Sequence, residues 1–371
     1  MRDRQRGIAL LLVLWVFTIL GVLALDFSSY MRDDAMASVN FADETHGYYI
    51  ALGGMNRAMW EAVRAREQGP ETGIPNAQRS GTDRQAGSGT DTGPGGPRLG
   101  MQDDDIMPAD GQWHDGELAG AKYQVRITDE GGLIPINKVG EAVLKKVITN
   151  LLVGPQSQVQ GMDRRTDNQV SEIVDSILDW RDPDSLKRVH GAESDYYLST
   201  KRGYPAKNAF LDDPQELLLV QGIDASLFYG GDGIPGLRDV ISVFNRSGQL
   251  NARTVTAPVL QALLGVDEAG AQDLIEQRDA DPEAFVTTLG TQLAGIGNGE
   301  SGIDGFVVNE PAHTVRIQAR ADTSQPRNQS NVEAVVELSS DEFDGPKILR
   351  WLDRAPWDGM PPTGIVPGDT A

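Results

Sequence analysis

The 371-residue sequence contains no cysteine. No disulfide can therefore staple the fold, and sites built on thiolates, such as zinc fingers and iron–sulfur centres, are excluded. If such a chain is exported, its stability must come from the size of its cores or from a hard cation such as calcium, which takes oxygen ligands.

Basic residues are also scarce. The chain has 33 Lys and Arg against 54 Asp and Glu, which gives a formal net charge of -21. Affinity for nucleic acid comes mainly from Lys and Arg that neutralise phosphates, so the balance argues against a nucleic-acid partner. It suits an extracytoplasmic domain and divalent cations. For any isolated Asp or Glu, simple solubility is an equally good explanation.

No catalytic constellation is present in the sequence. There are only four histidines, and they are scattered (His46, His114, His190 and His313). Neither a Gly-x-Ser-x-Gly nucleophile motif nor a phosphate-binding loop occurs. His190, beside an acidic loop, is interpreted as structural rather than as a general base. The sequence therefore predicts a binding and assembly protein, not an enzyme.

The start of the chain is dominated by an apolar run. Residues Ile8–Leu25 carry no charge, and Thr18 is their only polar side chain. A helix needs roughly 20 such residues to cross a bilayer. Three arginines and one aspartate precede the run, so the leader should stay cytoplasmic while the rest is exported. A cleaved signal peptide or a plain single-span anchor are the alternatives, although no Ala-x-Ala cleavage site follows.

Two contrasting stretches follow the apolar run. Apolar residues continue at helical spacing to about Arg66 without proline, which predicts one long helix over residues 8–66, with residues 8–25 in the membrane. Residues 67–116 are rich in Gly, Pro, Ser, Thr and Asp, a composition that buries too little to fold. We interpret them as a disordered loop, with Asp103–Asp105 as a solvated charge run.

Strand signals are confined to two distant parts of the chain. One lies at 121–128 with a re-entry at 133–137, and the others lie at 306–308, 314–321, 331–338 and 348–352. Between them the pattern predicts only helices, at 141–152, 168–179, 214–220, 236–240, 257–264, 268–279 and 282–289. The sequence therefore predicts an α+β fold: a long N-terminal helix packs on a small antiparallel sheet, and an all-α domain is inserted between the strands.

The predicted organisation has seven parts. They are a leader (1–7), the N-terminal helix (8–66), the disordered loop (67–116), the first part of the sheet (117–137), the helical insert (138–300), the second part of the sheet (301–352) and a tail (353–371).

The insert shows a weak internal repeat. The order Gly, apolar, Asn, helix, Leu-Leu, helix, Arg-Asp-x-Asp occurs from Gly132 and again from Gly248. The second copy contains Leu263–Asp267, which resembles a helix-hairpin-helix turn with Asp267 in place of the second glycine. A carboxylate there would repel phosphate, so we predict related helical hairpins that do not bind DNA.

An acidic loop is the best chemical constellation. Asp182 and Asp184 lie in a loop with a proline, and Glu193 and Asp195 follow a turn at Gly191. Calcium takes six to eight oxygens from carboxylates and carbonyls, which such loops can supply. The alternative is that Asp182 and Asp184 cap helices or pair with neighbouring basic side chains, namely Arg181, Lys187 and Arg188. Spacing alone leaves both explanations open.

The charged leader, glycine and uninterrupted apolar helix resemble the class 3 signal of type IV pilins and type II secretion pseudopilins. The resemblance implies that a prepilin peptidase cuts between Gly7 and Ile8 and methylates the new amino terminus at Ile8. Most members carry a glutamate five residues past the cut, where this chain has Leu12. The K-type minor pseudopilin is the member that typically lacks that glutamate.

A second resemblance lies in the insert. Residues 177–184, 191–197 and 207–223 are similar to the helical domain of the K-type pseudopilin. That domain binds calcium, which by resemblance assigns Ca²⁺ to Asp182, Asp184, Glu193 and Asp195. Helix capping explains three further polar residues that stand at predicted helix ends, namely Asp179, Asn208 and Asp212.

The family resemblance implies a minor pseudopilin at the tip of the type II secretion pseudopilus, acting in its initiation or capping and in export across the outer membrane. The implied partners are other minor pseudopilins, the major pseudopilin, the prepilin peptidase and the inner-membrane secretion platform. The protein would span the inner membrane once, with its C-terminal domain in the periplasm. The alternatives are a membrane-anchored DNA-uptake receptor and a minor pilin of a type IV pilus.

Overall fold

The computed structural model describes residues 4–67, 107–157, 164–201, 203–231, 233–294, 307–308, 312–321, 330–338 and 345–353. Most of the predicted loop 67–116 and nearly all of the predicted tail 353–371 lie outside these ranges, as do the first three residues of the predicted leader.

A single helix, α1, runs over Arg4–Glu67. Its large apolar side chains between Leu11 and Leu25 are exposed, and within the described residues α1 is the one helix long and apolar enough to span a membrane. Further along, one face becomes buried at helical spacing, at Ile50, Ala51, Met55, Ala58 and Ala62. The same helix is thus an apolar rod at one end and part of a domain core at the other.

The face of α1 packs on a five-stranded antiparallel sheet. Its strands are β1 (Asp110–Leu118), β2 (Ala121–Asp129), β9 (Thr314–Ala321), β10 (Ser330–Glu337) and β11 (Lys347–Asp353), in the order β1-β2-β9-β10-β11. Alternate residues of the central strands are buried against α1, as period-two alternation requires. Gly54 permits close approach, because a Cβ there would lie 2.5 Å from the Tyr123 ring.

Strand β1 corrects one prediction, because it begins inside the segment 67–116 that composition assigned to disorder. The Trp113 ring is covered by the guanidinium groups of Arg126 at 4.9 Å and Arg320 at 4.1 Å. These cation–π partners come from β2 and from the distant strand β9. The composition of residues 110–118 does not reveal such distant partners, so strand β1 could not be predicted from its own residues.

All other described elements lie between β2 and β9. The helices are a short 3₁₀ turn (Glu130–Gly132), α2 (Glu141–Ser157), α3 (Arg164–Arg181), α4 (Ser194–Ser199), a 3₁₀ helix (Pro214–Leu219), α5 (Ala225–Tyr229), α6 (Leu237–Val240), α7 (Ala257–Leu264), α8 (Glu268–Ala280) and α9 (Pro282–Ala294). Short strands accompany them: β3 (Ile134–Pro135), β4 (Gly230–Gly231), β5 (Ile234–Pro235), β6 (Ile241–Ser242), β7 (Leu250–Asn251) and β8 (Val307–Val308). The helices share one apolar core, separate from the core between α1 and the sheet.

A buried polar junction joins the helical region to the sheet. At the end of β2, Asp129 accepts hydrogen bonds from Asn251 Nδ2 at 2.9 Å and Thr254 Oγ1 at 2.6 Å. The next residue, Glu130, lies 2.8 Å from the guanidinium of Arg316 on β9. Burial raises the pKa of Glu130, and Arg316 opposes that rise. Because buried carboxylates need such partners, the junction fixes where the helical region attaches.

The junction lies at the end of the sheet toward which α1 runs. Arg66, in the last turn of α1, donates to the carbonyl oxygen of Ala312 at 2.7 Å, just before β9. At the opposite end of the sheet, Ser330 donates to the carbonyl oxygen of Glu44 at 3.2 Å. The helical region is therefore attached at the end of the molecule that lies away from the apolar segment of α1.

Candidate metal centre

Helix α3 provides the base of the acidic loop. Its apolar side is buried through Val170, Ile173, Val174 and Ile177. Asp175 and Asp179 are four residues apart, which places both on one face of the helix. Asp179, fully buried, accepts the backbone N–H of Arg188 at 3.1 Å, and Asp175 accepts the N–H of His190 at 3.0 Å. These two bonds fold the loop after α3 back onto the helix.

Gly191 makes that return possible. A Cβ at this position would lie 2.1 Å from Asp179 Oδ2 and 3.1 Å from the backbone carbon of Asp175. No side chain fits there, so the sequence needs glycine for close approach rather than for an unusual backbone angle. The chain then continues to Glu193, the residue that precedes α4.

Folding the loop back brings three carboxylates together. One oxygen from each of Asp182, Asp184 and Glu193 lies within 4.8 Å of the others. Asp182 follows directly after α3, and its N–H still donates to the Leu178 carbonyl at 3.0 Å. Two residues from one end of the loop thus meet one residue from its other end, and three of the four predicted ligands are neighbours.

The fourth predicted residue, Asp195, is not part of this group of carboxylates. It is exposed in the first turn of α4, and its Oδ1 accepts the N–H of Tyr196 at 2.8 Å. The turn after Gly191 brings Glu193 to the loop, and two residues later the chain has entered the helix. The structure therefore leaves Asp195 outside the candidate centre.

The cluster has unpaired negative charge. Glu193 is only 4% exposed, and among the described residues neither of its carboxylate oxygens has a hydrogen-bond partner; the same holds for Asp182 Oδ1. Burial raises the pKa of Glu193, with the carboxylates of Asp179 and Asp182 adding to the rise. Burial likewise raises the pKa of Asp182, followed by repulsion from Asp184. Buried carboxylate oxygens without partners are costly, and a bound cation would satisfy them.

The donor set fits a hard divalent cation. All three side chains supply carboxylate oxygens, the type that calcium prefers, and further oxygens can come from carbonyls and water. A further buried acceptor atom lies next to the loop: Asn208 Oδ1 has no hydrogen-bond partner among the described residues. The Nδ2 of the same residue donates to the Asp184 carbonyl oxygen at 2.5 Å.

The residues that sequence analysis assigned to helix capping have other roles. Asp179 anchors the loop, Asn208 contacts its backbone, and Asp212 pairs with Lys207 Nζ at 2.7 Å. The cap of the 3₁₀ helix is the next residue, Asp213, which accepts the N–H of Gln215 at 2.8 Å. For Asp212, the predicted cap was therefore one residue out of place.

Ion pairing with neighbouring basic side chains explains the acidic loop only in part. Arg181 donates to the backbone carbonyls of Ile136 and Val139, and burial lowers its pKa to about 10. Arg188 lies 3.5 Å from Asp179 and 3.7 Å from Glu141. Both arginines therefore serve other partners. Asp184 does make a local turn, because its Oδ1 accepts the N–H of Leu186 at 2.8 Å, but its second oxygen remains available to a ligand.

The architecture defines a class of protein: a pilin-like subunit whose apolar helix continues into a sheet domain that carries a helical region. Family models described as "Type II secretion system (T2SS), protein K" match residues 146–229 and 250–308. The type II secretion system protein K of Pseudomonas aeruginosa is 24% identical over 281 residues, which is 75% of this chain and 74% of the relative.

A solved structure has the same fold. It is a chain of the GspK–GspI–GspJ complex from the type 2 secretion system of enterotoxigenic Escherichia coli, with a TM-score of 0.52 and 15% identity. The match covers 82% of this chain and 95% of that chain. Together, the family models, the relative and this shared fold support a minor pseudopilin of the type II secretion protein K family.

Proposed function

We propose that this minor pseudopilin caps the tip of the periplasmic pseudopilus, where it takes part in initiation of the filament and in export across the outer membrane. The supporting observation is the position of the helical region at the end of the sheet toward which α1 runs. From Leu25 to Arg66, α1 extends about 60 Å at 1.5 Å per residue. A bulky region at that end would block a subunit above it, which suits the end of a filament rather than its shaft.

Leu12 supports the same location. In pseudopilins the usual glutamate at this position is thought to meet the amino terminus of the neighbouring, earlier-inserted subunit inside the apolar filament core. A subunit with no neighbour above it has no such partner, and an unpaired carboxylate buried there would be costly. Leucine at this position of the apolar segment is what a first subunit needs.

Processing and placement follow from the leader. We propose that the prepilin peptidase cuts between Gly7 and Ile8 and that Ile8 is then methylated. The apolar part of α1 would anchor the chain in the inner membrane, with the sheet and helical region in the periplasm. The inner-membrane secretion platform and the major pseudopilin would be partners during assembly. The similar chain occurs in a complex named for GspK, GspI and GspJ, so we expect two smaller minor pseudopilins as neighbours here.

Calcium is the proposed cofactor of the candidate metal centre. Asp182, Asp184 and Glu193 would hold the ion, whose positive charge would offset their mutual repulsion. The bound ion would favour the ionised carboxylates and tie the two ends of the loop together. We expect its effect to be structural, because the family is a structural component of the secretion machinery.

We further propose that the helical region contains a duplicated helical hairpin. Helix α7 ends at Gly265 in the left-handed conformation (φ 71°), and Asp267 then caps α8 by accepting the N–H of Gly270 at 2.9 Å. That geometry supports a helix-hairpin-helix turn. The carboxylate at its centre argues against phosphate, and hence against a DNA-uptake receptor.

Label position on isolated pseudopili tests the proposal. Cells that overproduce the major pseudopilin would carry this protein with an epitope after Ala371, and the epitope would be detected by immunogold. We expect gold at one end of each filament. An epitope on the major pseudopilin provides the matched control, with gold along the shaft. Even labelling of the shaft by this protein would contradict the tip assignment.

A further inference from the structure

The segment from Lys207 to Glu216 connects the acidic loop to the sheet. We propose that this segment is a strut, with Arg350 on β11 as a positioning residue for the metal centre, so that cation binding and the order of β11 are coupled. The inference rests on the proposed calcium site. The inference concerns residues other than the three carboxylates, together with strand β11 of the five-stranded sheet.

The strut is attached to the loop through Asn208. Its Nδ2 donates to the Asp184 carbonyl oxygen at 2.5 Å and to Ser185 Oγ at 3.3 Å. Asn208 has a positive φ of 49°, one of only two such non-glycine residues in the described part of the chain. A left-handed conformation persists where the surroundings impose it. Here it is found at the residue that contacts the main chain of a proposed ligand.

The middle of the strut is cross-braced. Lys207 Nζ lies 2.7 Å from Asp212 and 2.8 Å from Glu216. Glu216 Oε1 accepts the N–H groups of Asp212 at 2.8 Å and Asp213 at 3.1 Å. Charge-assisted hydrogen bonds at several points resist bending of the segment. A shift at one end of the segment can therefore be transmitted to its other end.

The other end of the strut is attached to the sheet through an ion pair. Asp213 Oδ2 lies 2.8 Å from Arg350 Nη2, and Arg350 Nη1 lies 3.5 Å from Glu333 on β10. Gln318 on β9 donates to Glu333 at 2.7 Å, so the polar chain reaches the centre of the sheet. The Arg350 side chain is 18% exposed and that of Asp213 is 35% exposed, so solvent screens the pair in part. Strand β11 is at the edge of the sheet, with β10 as its sheet neighbour.

Linkage makes the coupling reciprocal. If a bound cation fixes the Asp184 main chain, the strut is held in one position and the Asp213–Arg350 pair with it. Loss of Arg350 must then weaken cation binding by the same factor by which the cation stabilises the pair. For a partly buried ion pair of about 0.4–1 kcal/mol, the expected factor is about two to five.

Two measurements on the full chain in detergent test the inference. Calcium chloride is titrated by calorimetry, and amide hydrogen exchange of residues 347–353 is followed with calcium and with chelator. The variants are Arg350→Gln, Arg350→Lys as rescue and Asn208→Gly, which accepts the positive φ and removes only the amide. Arg320→Gln is the matched control, because Arg320 contacts Gln124 and Trp113 on the sheet.

We expect calcium to slow exchange in β11 of the wild type. Arg350→Gln and Asn208→Gly should abolish that slowing and weaken calcium binding about two- to fivefold, whereas Arg350→Lys should restore part of it and Arg320→Gln should change neither. Calcium binding without slower exchange in wild-type β11 would overturn the strut, and so would an Arg350→Gln variant that melts lower but binds calcium normally. If wild type binds no calcium at millimolar concentration, the proposed metal centre fails and the strut fails with it.

Discussion

Asp179 accepts the backbone N–H of Arg188 at 3.1 Å, nine residues further along the chain. Together with the hydrogen bond from His190 N–H to Asp175, this contact draws the chain back to α3 and returns Glu193 to the side of Asp182. Gly191 lies against the Asp179 carboxylate. The candidate metal centre therefore depends on residues that are not themselves ligands.

A Cβ at Gly191 should disrupt the loop. In Gly191→Ala the new carbon would meet Asp179 Oδ2 at 2.1 Å, so the loop must shift, at a cost of about 1–3 kcal/mol in the free energy of unfolding. Gly290→Ala is the control, because nothing lies within 4 Å of its Cβ in α9, and it should stabilise by about 0.5–1 kcal/mol. Denaturant unfolding measures both. Equal small effects from the two substitutions would show that the loop does not need the close approach.

Stability without calcium should depend on pH through Asp179. Burial raises its pKa from 3.8 to about 6, against the opposing hydrogen bond from Arg188. Between about pH 4 and 6 the folded protein then holds a proton that the unfolded chain releases, so stability falls as pH rises through this window. In chelator, wild type should lose stability relative to Asp179→Asn over this range and no further above it. A difference that stays constant with pH, or one that shifts in favour of wild type as pH rises from 4 to 6, would contradict the raised pKa.

Processing should require the small residue before the apolar run. Replacing Gly7 by a bulky residue should leave unprocessed precursor in the membrane, whereas the wild type should begin at a methylated Ile8. Mass spectrometry of the amino-terminal peptide gives the answer. A mature protein that starts after Leu25 would instead indicate a cleaved signal peptide.

Leu12→Glu tests the filament argument. A carboxylate in the apolar core with no amino terminus to pair with should protonate or recruit a wrong neighbour, and either should disturb initiation more than elongation. We expect fewer pseudopili of near-normal length when they are counted by electron microscopy. Leu12→Gln adds polarity without charge and is the control. Unchanged filament numbers in Leu12→Glu would show that Leu12 gives no support to a location at the tip.

Much of the fold could be predicted from the sequence because its signals are local. Strand β9 and helix α7 have the predicted bounds, 314–321 and 257–264, since strict alternation and helical spacing mark them clearly. Helices α4 and α5 were missed although the four-residue α6 was predicted, because elements of so few residues are too short for their periodicity to decide. Strand β1 was missed because its partners are far away in the chain.

The candidate centre could be predicted in its residue types but not in its complete membership. Loop chemistry pointed to Asp182, Asp184 and Glu193, which the structure brings together. Asp195 looked equivalent by spacing, yet α4 begins between it and Glu193. The anchoring role of Asp175 and Asp179 had a signal in their four-residue spacing on a predicted helix. The contact of Asn208 with Asp184 had no signal in the sequence, because the two residues are 24 positions apart and Asn208 has a left-handed backbone conformation.

Calcium binding by the acidic loop can be measured by calorimetric titration of the full chain in detergent. We expect one saturable site for wild type in the range of about 10⁻⁴–10⁻³ M, typical of extracellular modules, and a higher melting temperature with calcium than with chelator. Asp182→Ala with Glu193→Ala should abolish both effects, whereas Asp195→Ala should preserve them, because Asp195 lies outside the cluster. A wild type that neither binds calcium nor melts differently in chelator would show that the acidic loop is not a calcium site.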